Sequence, residues 1–220
     1  MYIPPAFAET DPSVMLDFVE AHPLGALVTA SRDGGLFATH LPLVLDRAAG
    51  AHGTLRGHVA RANPHAAHAT QAPASEALVI FTGPQAYVSP AYYPSKARHG
   101  KVVPTWNYVA VHAYGSLRFV DDTEYVMRNV EALTARHESD RPLPWAVGDA
   151  PADYVRQQLK GTLGVELEIT RLVGKWKMSQ NRAAEDIDGV VAGLGASDDA
   201  RERAVAAMVD ARRPESKRRD

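Results

Sequence analysis

The stretch GALVTASRDGGLFATHLPLVL, residues 25–45, sets the architecture. Two apolar, β-rich runs, Gly25 to Ser31 and Leu36 to Leu45, flank Arg32-Asp33-Gly34-Gly35. Asp-Gly supplies the positive φ that a tight turn requires, so the stretch predicts an antiparallel hairpin. Upstream, Asp11 is placed to cap a helix from Pro12 to His22, with Met15, Leu16, Phe18 and Val19 as its apolar stripe. Downstream, a strand over Gly53 to Val59 runs into Asn63, which caps a helix opening with Pro64.

Further strands are predicted over Leu78 to Val88, broken at Gly83-Pro84, over Val109 to Val120, and over Val165 to Met178. Residues 89–103 read as a long loop. Asp121 with Glu124 forms a capping box, and Asp149-Ala150-Pro151 starts another short helix. The remainder reads as helical, ending in RRPESKRRD. Six or seven strands in hairpin order with peripheral helices predict a mainly β, α+β antiparallel barrel. The expected organisation is one domain over residues 1–211, a helical insertion over about 121–160, and a basic, disordered tail over 212–220.

Composition narrows the functional classes. A chain of 220 residues buries roughly 70% of the surface its unfolded form exposes, so it needs no staple. With no cysteine, disulfides, thiolate metal sites and a thiol nucleophile are excluded. The net charge of −2 gives no global cationic field for nucleic acid or anionic lipid. No apolar run approaches the roughly 18 residues of a membrane span. The opening MYIPPAFAETDP lacks the basic and apolar regions of a signal peptide, and a cytoplasmic location is expected.

Three constellations carry chemistry. In Gly57-His58-Val59-Ala60-Arg61-Ala62-Asn63-Pro64-His65, a strand end, an arginine and a helix N-terminus fall within nine residues, the parts of a phosphate site. A solvated turn arginine beside a bare cap is the alternative. In Gly174-Lys175-Trp176-Lys177-Met178-Ser179-Gln180-Asn181-Arg182, period two puts Lys175, Lys177 and Ser179 on one face, suited to an anion or a polar ring edge. An ordinary exposed barrel face reads the same way. The aromatics of 87–95 and 104–108 suit either a planar heterocycle or a dimer interface. His65 and His68 lack any partner carboxylate at a metal-site spacing and are read as structural, so no metal is expected. His40 is expected to line a pocket.

The segments MYIP, ATHLPLVLD (38–46), GTLRGHVARANPH (53–65), EALVIFTGPQAYVSPAYYPSK (76–96), VVPTWNYVAVHAYGSLRF (102–119), PWAVGDAPADYV (144–155) and GVELEITRLVGKWKMSQNR (164–182) resemble the PaiB family of FMN-binding negative transcriptional regulators. The likeness covers nearly everything except the C-terminal tail. It implies a six-stranded antiparallel Greek-key FMN-binding split barrel, a homodimer, and FMN in a cleft between subunits. Carried over by position, Arg61, Asn63 and His58 meet the FMN phosphate, and Thr39, His40 and Leu41 offer backbone groups to the isoalloxazine edge. Tyr87 and Ser89 lie along the cleft, Trp106 and Asn107 reach in from the partner, and Lys177, Ser179 and Gln180 close the polar end. His40 and Lys177 would polarise the flavin N1–C2=O region. Ala91-Tyr92 departs from the Ser-Trp pair expected of relatives.

The resemblance supports a flavin-dependent oxidoreductase acting on a small substrate, a flavin-responsive repressor, or a haem-binding or haem-degrading split-barrel protein. No catalytic residue is nominated. DNA is a weakly supported partner, because no helix-turn-helix is evident.

Overall fold

The computed structural model of the chain describes residues 1–30, 35–65, 67 and 76–217. The eight strands are β1 (Ala8–Glu9), β2 (Leu24–Ala30), β3 (Leu36–Pro42), β4 (Val44–Asp46), β5 (Thr54–Ala60), β6 (Glu76–Val88), β7 (Thr105–Val120) and β8 (Thr162–Lys177). They form one sheet in the order β3-β2-β6-β7-β8-β5-β4, with β1 added on β8. Six strands have seven residues or more; β1 and β4 are short additions, which accounts for the six-stranded expectation. Six α-helices are defined among the described residues: α1 (Pro12–Ala21), α2 (Ser95–His99), α3 (Thr123–Glu138), α4 (Ala152–Lys160), α5 (Ala184–Gly195) and α6 (Ala200–Ala211). None is long and apolar enough to cross a membrane.

The chain divides into two compact units. One comprises Pro12–Phe81 and His112–Leu172. Its β2 and β3 pair from Leu24↔Pro42 to Ala30↔Leu36, the register expected of the opening hairpin. The turn residues Arg32, Asp33 and Gly34 lie outside the described residues, as does His68. The predicted run Leu36 to Leu45 is interrupted at Leu43, whose N–H leaves the ladder to donate to Pro23 O at 2.9 Å. Period two then points Leu27, Leu41, Leu55, Val59, Val165 and Leu167 into the core. At Gly57 a Cβ would lie 2.9 Å from Pro42 O, so glycine lets β5 pass close to the end of β3. Helix α1 buries Met15, Phe18 and Val19 as its periodicity requires.

One local expectation in this unit needs correcting. The N-cap of α3 is Asp122, whose carboxylate accepts from the N–H groups of Glu124 (2.8 Å) and Tyr125 (3.1 Å). Asp121, the expected cap, pairs with Arg61 instead. The short helix expected to start from Asp149-Ala150-Pro151 is α4, which begins directly after Pro151 and is preceded by a 3-10 turn over Val147–Asp149.

The other unit comprises Met1–Asp11, Thr82–Val111 and Val173–Asp220. Strand β6 runs unbroken through Gly83-Pro84. The segment read as a loop over 89–103 contains a 3-10 turn (Pro90–Tyr92), with Ser89 Oγ accepting from Ala91 N–H at 3.1 Å, and α2, ended by left-handed Gly100. Buried Asp186 on α5 accepts from both Ser95 N–H (3.1 Å) and Ser95 Oγ (2.8 Å). Glycines on α5 allow the 3-10 turn against it: at Gly189 a Cβ would stand 1.9 Å from Tyr92 O. The C-terminal segment makes specific contacts as far as Lys217. Arg212 pairs with Glu9 and stacks on Trp176, Arg213 pairs with Asp188 at 2.6 Å, and Lys217 donates to Gln180 O and Arg182 O at 2.8 and 2.7 Å. Residues 218–220 lie outside the described residues.

Candidate functional site

The nominated residues fall into two clusters, one in each unit. In the unit of Pro12–Phe81, β5 ends in a turn whose helix begins at Pro64. Asn63 Oδ1 accepts from His65 N–H (3.0 Å), and its Nδ2 donates to Thr39 Oγ1 (3.3 Å). The fully buried His65 ring lies between two hydroxyls, Nε2 2.8 Å from Thr29 Oγ1 and Nδ1 2.9 Å from Thr39 Oγ1. Phe37 meets the same ring edge-on at 5.0 Å. Asn63 and Thr39 therefore fix the turn through His65, which the sequence reading treated as structural.

Arg61 stands at the mouth of this turn. Its Nη1 and Nη2 donate to the Asp121 carboxylate at 2.8 and 2.6 Å, and its Nε donates to Lys160 O at 3.1 Å. The bidentate bond to Asp121 raises the Arg61 pKa and lowers that of Asp121. Both groups are solvent-facing, so an incoming phosphate could take Arg61 over from Asp121. His58 points elsewhere: its Nδ1 lies 3.1 Å from Asn129 Oδ1 on α3. His40 is exposed, and Leu41 is a core side chain, 2% exposed, which leaves only its backbone to a ligand.

In the unit of Thr82–Val111, the end of β8 faces the start of β7. Lys177 Nζ donates to Thr105 Oγ1 and, at 2.7 Å, to Trp106 O. An ammonium has three donors, so one N–H remains for a ligand. Partial burial, together with the charges of Lys175 and Arg182, pushes the Lys177 pKa below its ordinary value. Buried Asn107 and Ser179 exchange hydrogen bonds, Nδ2 to Oγ at 3.0 Å and Oγ to Oδ1 at 3.2 Å. Ser179 sits at φ 62°, a left-handed conformation uncommon outside glycine.

Gln180 fixes that tight turn: its Oε1 accepts from Met178 N–H (2.7 Å) and its Nε2 donates to Trp176 O (2.6 Å). Gln180 is thus a brace, and Ser89 is a cap. Tyr87 and Trp106 are half exposed and meet edge-to-face at 6.3 Å, a free aromatic surface. Buried Lys175 lies 5.1 Å over the Tyr108 ring. Positive charge concentrates here: Lys175, Lys177 and Arg182 share the turn, while Glu9 is taken by Arg212.

The residues that sequence reasoning missed are Thr29, Thr105, Asp121 as a partner, Asn129 and Lys217. Each acts through a long-range contact that no local pattern announces. Among the described residues, no group of three or more His, Asp or Glu could hold a metal ion.

An antiparallel barrel carrying a fixed cluster of cationic and amide donors beside exposed aromatics defines a small-molecule-binding split barrel. Residues 1–171 match the family described as "Putative FMN-binding domain", and this chain belongs to that family, whose cofactor is FMN. The chain is 36% identical to an uncharacterized protein of Aspergillus fumigatus, covering 88% of this chain and 90% of the relative. It is 31% identical to the Bacillus subtilis protease synthase and sporulation protein PAI 2, covering 87% of each. That match bears out the PaiB resemblance.

Two solved structures share the fold. A conserved hypothetical protein from Mycobacterium tuberculosis superposes with TM-score 0.56 at 13% identity, covering 83% of this chain and 94% of that one. The FAD and heme binding protein from Mycobacterium smegmatis does so with TM-score 0.56 at 20% identity, covering 82% and 78%.

Proposed function

We propose that the chain works as a homodimeric FMN protein that passes electrons to a small-molecule substrate. The observation that carries this reading is the Lys177 cluster. It holds a partly desolvated ammonium with a spare donor and an excess of positive charge, the environment that favours an electron-rich ring edge. Bound FMN would supply the electron chemistry, while the protein supplies binding, orientation and electrostatics.

In this reading Lys177 and the Asn107–Ser179 pair take polar edges of the ring system. Within the unit of Pro12–Phe81 taken by itself, Arg61 is the candidate for an anion on leaving Asp121, and Asn63 and His65 keep its turn in shape. The exposed pair Tyr87 and Trp106 belongs to the subunit interface, where a second copy would cover it. A role in transcription, the second reading, rests on the resemblance to the PaiB family of negative transcriptional regulators, a likeness the chain shares with the Bacillus relative. It requires a promoter footprint that survives about 150 mM salt.

The test is an FMN titration followed by flavin fluorescence, alongside sedimentation equilibrium. Saturable binding at micromolar FMN or tighter, one FMN per subunit and a dimer are expected. Anaerobic NAD(P)H should then bleach the bound flavin. A monomer that binds no FMN would overturn the proposal.

A further inference from the structure

A cavity of about 510 Å³ lies between the outer face of the sheet and α3, wholly within the unit of Pro12–Phe81 and His112–Leu172. Its size falls in the range of small-molecule sites, roughly 300–1,000 Å³. The wall holds three guanidiniums, Arg56, Arg118 and Arg128, against two carboxylates, Asp46 and Glu166. Arg56 bridges the carboxylates, bonding Asp46 and, through Nε, Glu166 Oε2 at 3.2 Å. Arg118 Nε donates to Glu166 Oε1 at 2.6 Å. Burial works to raise the Glu166 pKa, but Arg118 and Arg56 outweigh it and hold the carboxyl below its ordinary value. Burial beside Glu166 pushes Tyr125 up to about 12, so its hydroxyl stays neutral.

Both carboxylates are thus ionised and fully engaged by Arg56 and Arg118. The third guanidinium of the wall, Arg128, is mostly exposed and forms a loose i,i+4 ion pair with Glu124 at 3.8 Å, outside this wall. Beside it on α3 is Asn129, only 5% exposed and lining the cavity. Its Oδ1 is taken by His58, while its Nδ2 carries no hydrogen bond among the described residues. That donor is open to the cavity, where a ligand can accept from it in place of water. Val44, Ala132 and the Tyr125 ring supply apolar wall for an organic body.

We propose that this cavity binds a small organic monocarboxylate, its carboxylate taken jointly by Arg128 and Asn129 Nδ2. A single surplus positive charge matches a monoanion. A phosphate dianion would meet Asp46 and Glu166 with a charge left unpaired. The site is separate from the Lys177 cluster and does not depend on the flavin reading.

The test is calorimetric titration of the protein with sodium benzoate, repeated with excess FMN present, with neutral benzamide as the isosteric comparison. Benzoate should saturate and benzamide should bind at least tenfold more weakly. Arg128→Met and Asn129→Leu should each weaken benzoate about tenfold or more. Equal binding of the two probes, no saturation by about 10 mM, or displacement of benzoate by FMN would overturn the proposal. Should Asn129→Leu fail to fold, Arg128→Met on the exposed flank of α3 decides. Unchanged benzoate affinity in that variant refutes the site.

Discussion

Replacing Lys177 by methionine keeps the unbranched stem and removes the ammonium, so packing is preserved while the charge is lost. Two hydrogen bonds from a charged donor disappear, to Thr105 Oγ1 and Trp106 O, each worth at most about 1.5–3 kcal/mol and less where the ammonium is partly solvated. Against that, the variant no longer desolvates a cation beside Lys175 and Arg182. With the group only partly buried, the two effects nearly cancel, and thermal stability at pH 7 should change by about 1 kcal/mol or less. The sign of the pH dependence follows from the lowered pKa. The unfolded chain holds the Lys177 proton more tightly, so wild-type stability gains from this group as pH rises toward the ordinary value of 10.5. The methionine variant should lose that gain.

Binding should behave differently from stability. A charge-assisted hydrogen bond from the third N–H to the ring edge is worth about 1.5–3 kcal/mol. Its loss should raise the Kd for FMN about 10- to 150-fold by fluorescence titration. A variant of wild-type melting temperature whose FMN affinity moves less than about threefold would refute the assignment of Lys177 to the cofactor.

Other perturbations have definite outcomes. Lys217→Ala removes the donor shared by Gln180 O and Arg182 O, so amide exchange over residues 178–182 should accelerate about 5- to 30-fold. FMN affinity should fall with it; unchanged exchange would show that the C-terminal segment does not hold this turn. Glu166, with its lowered pKa, contributes stability above its ordinary value of 4.5 that is lost as pH falls through the folded value. Glu166→Gln should therefore flatten the acid limb of the stability–pH profile below about pH 4.5, and a profile identical to wild type would contradict the Arg56–Glu166–Arg118 network.

The parts of the fold legible in the sequence were those set by local chemistry. The β2–β3 register, the α1 stripe and the start of α3 near Asp121 follow from alternation, helical period and capping side chains within a few residues of one another. The errors come where a partner far along the chain decides. Asp121 satisfies every local rule for an N-cap, yet Arg61, 60 residues away, takes its carboxylate and the next aspartate caps the helix. Pro84 reads as a strand breaker, yet β6 continues through it. The site follows the same division. Residue type and spacing brought Lys177, Ser179, Asn107 and Asn63 forward, but not that Asn63 and Gln180 spend their amides bracing their own turns.

Strand β5 shows why the cavity under α3 is hard to explain as scaffold alone. Its inward residues Leu55, Gly57 and Val59 are buried, while Arg56 and His58 point outward under α3. A helix laid over a sheet needs only an apolar face, and a partly buried ion network is seldom more stable than well-packed hydrophobic residues of similar volume. If stability were its whole purpose, the joint replacement of Asp46, Arg56 and Glu166 by leucine would cost little, about 1 kcal/mol or less, and Arg118 would simply turn into solvent. Removing Glu166 alone should cost more, about 1–3 kcal/mol, since half-buried Arg56 keeps Asp46 but loses the acceptor of its Nε. The joint variant should thus melt closer to wild type than the variant lacking Glu166 alone, read by thermal denaturation. A joint variant that melts well below that single variant would show that the network is there to hold α3 on the sheet and leaves nothing further to explain.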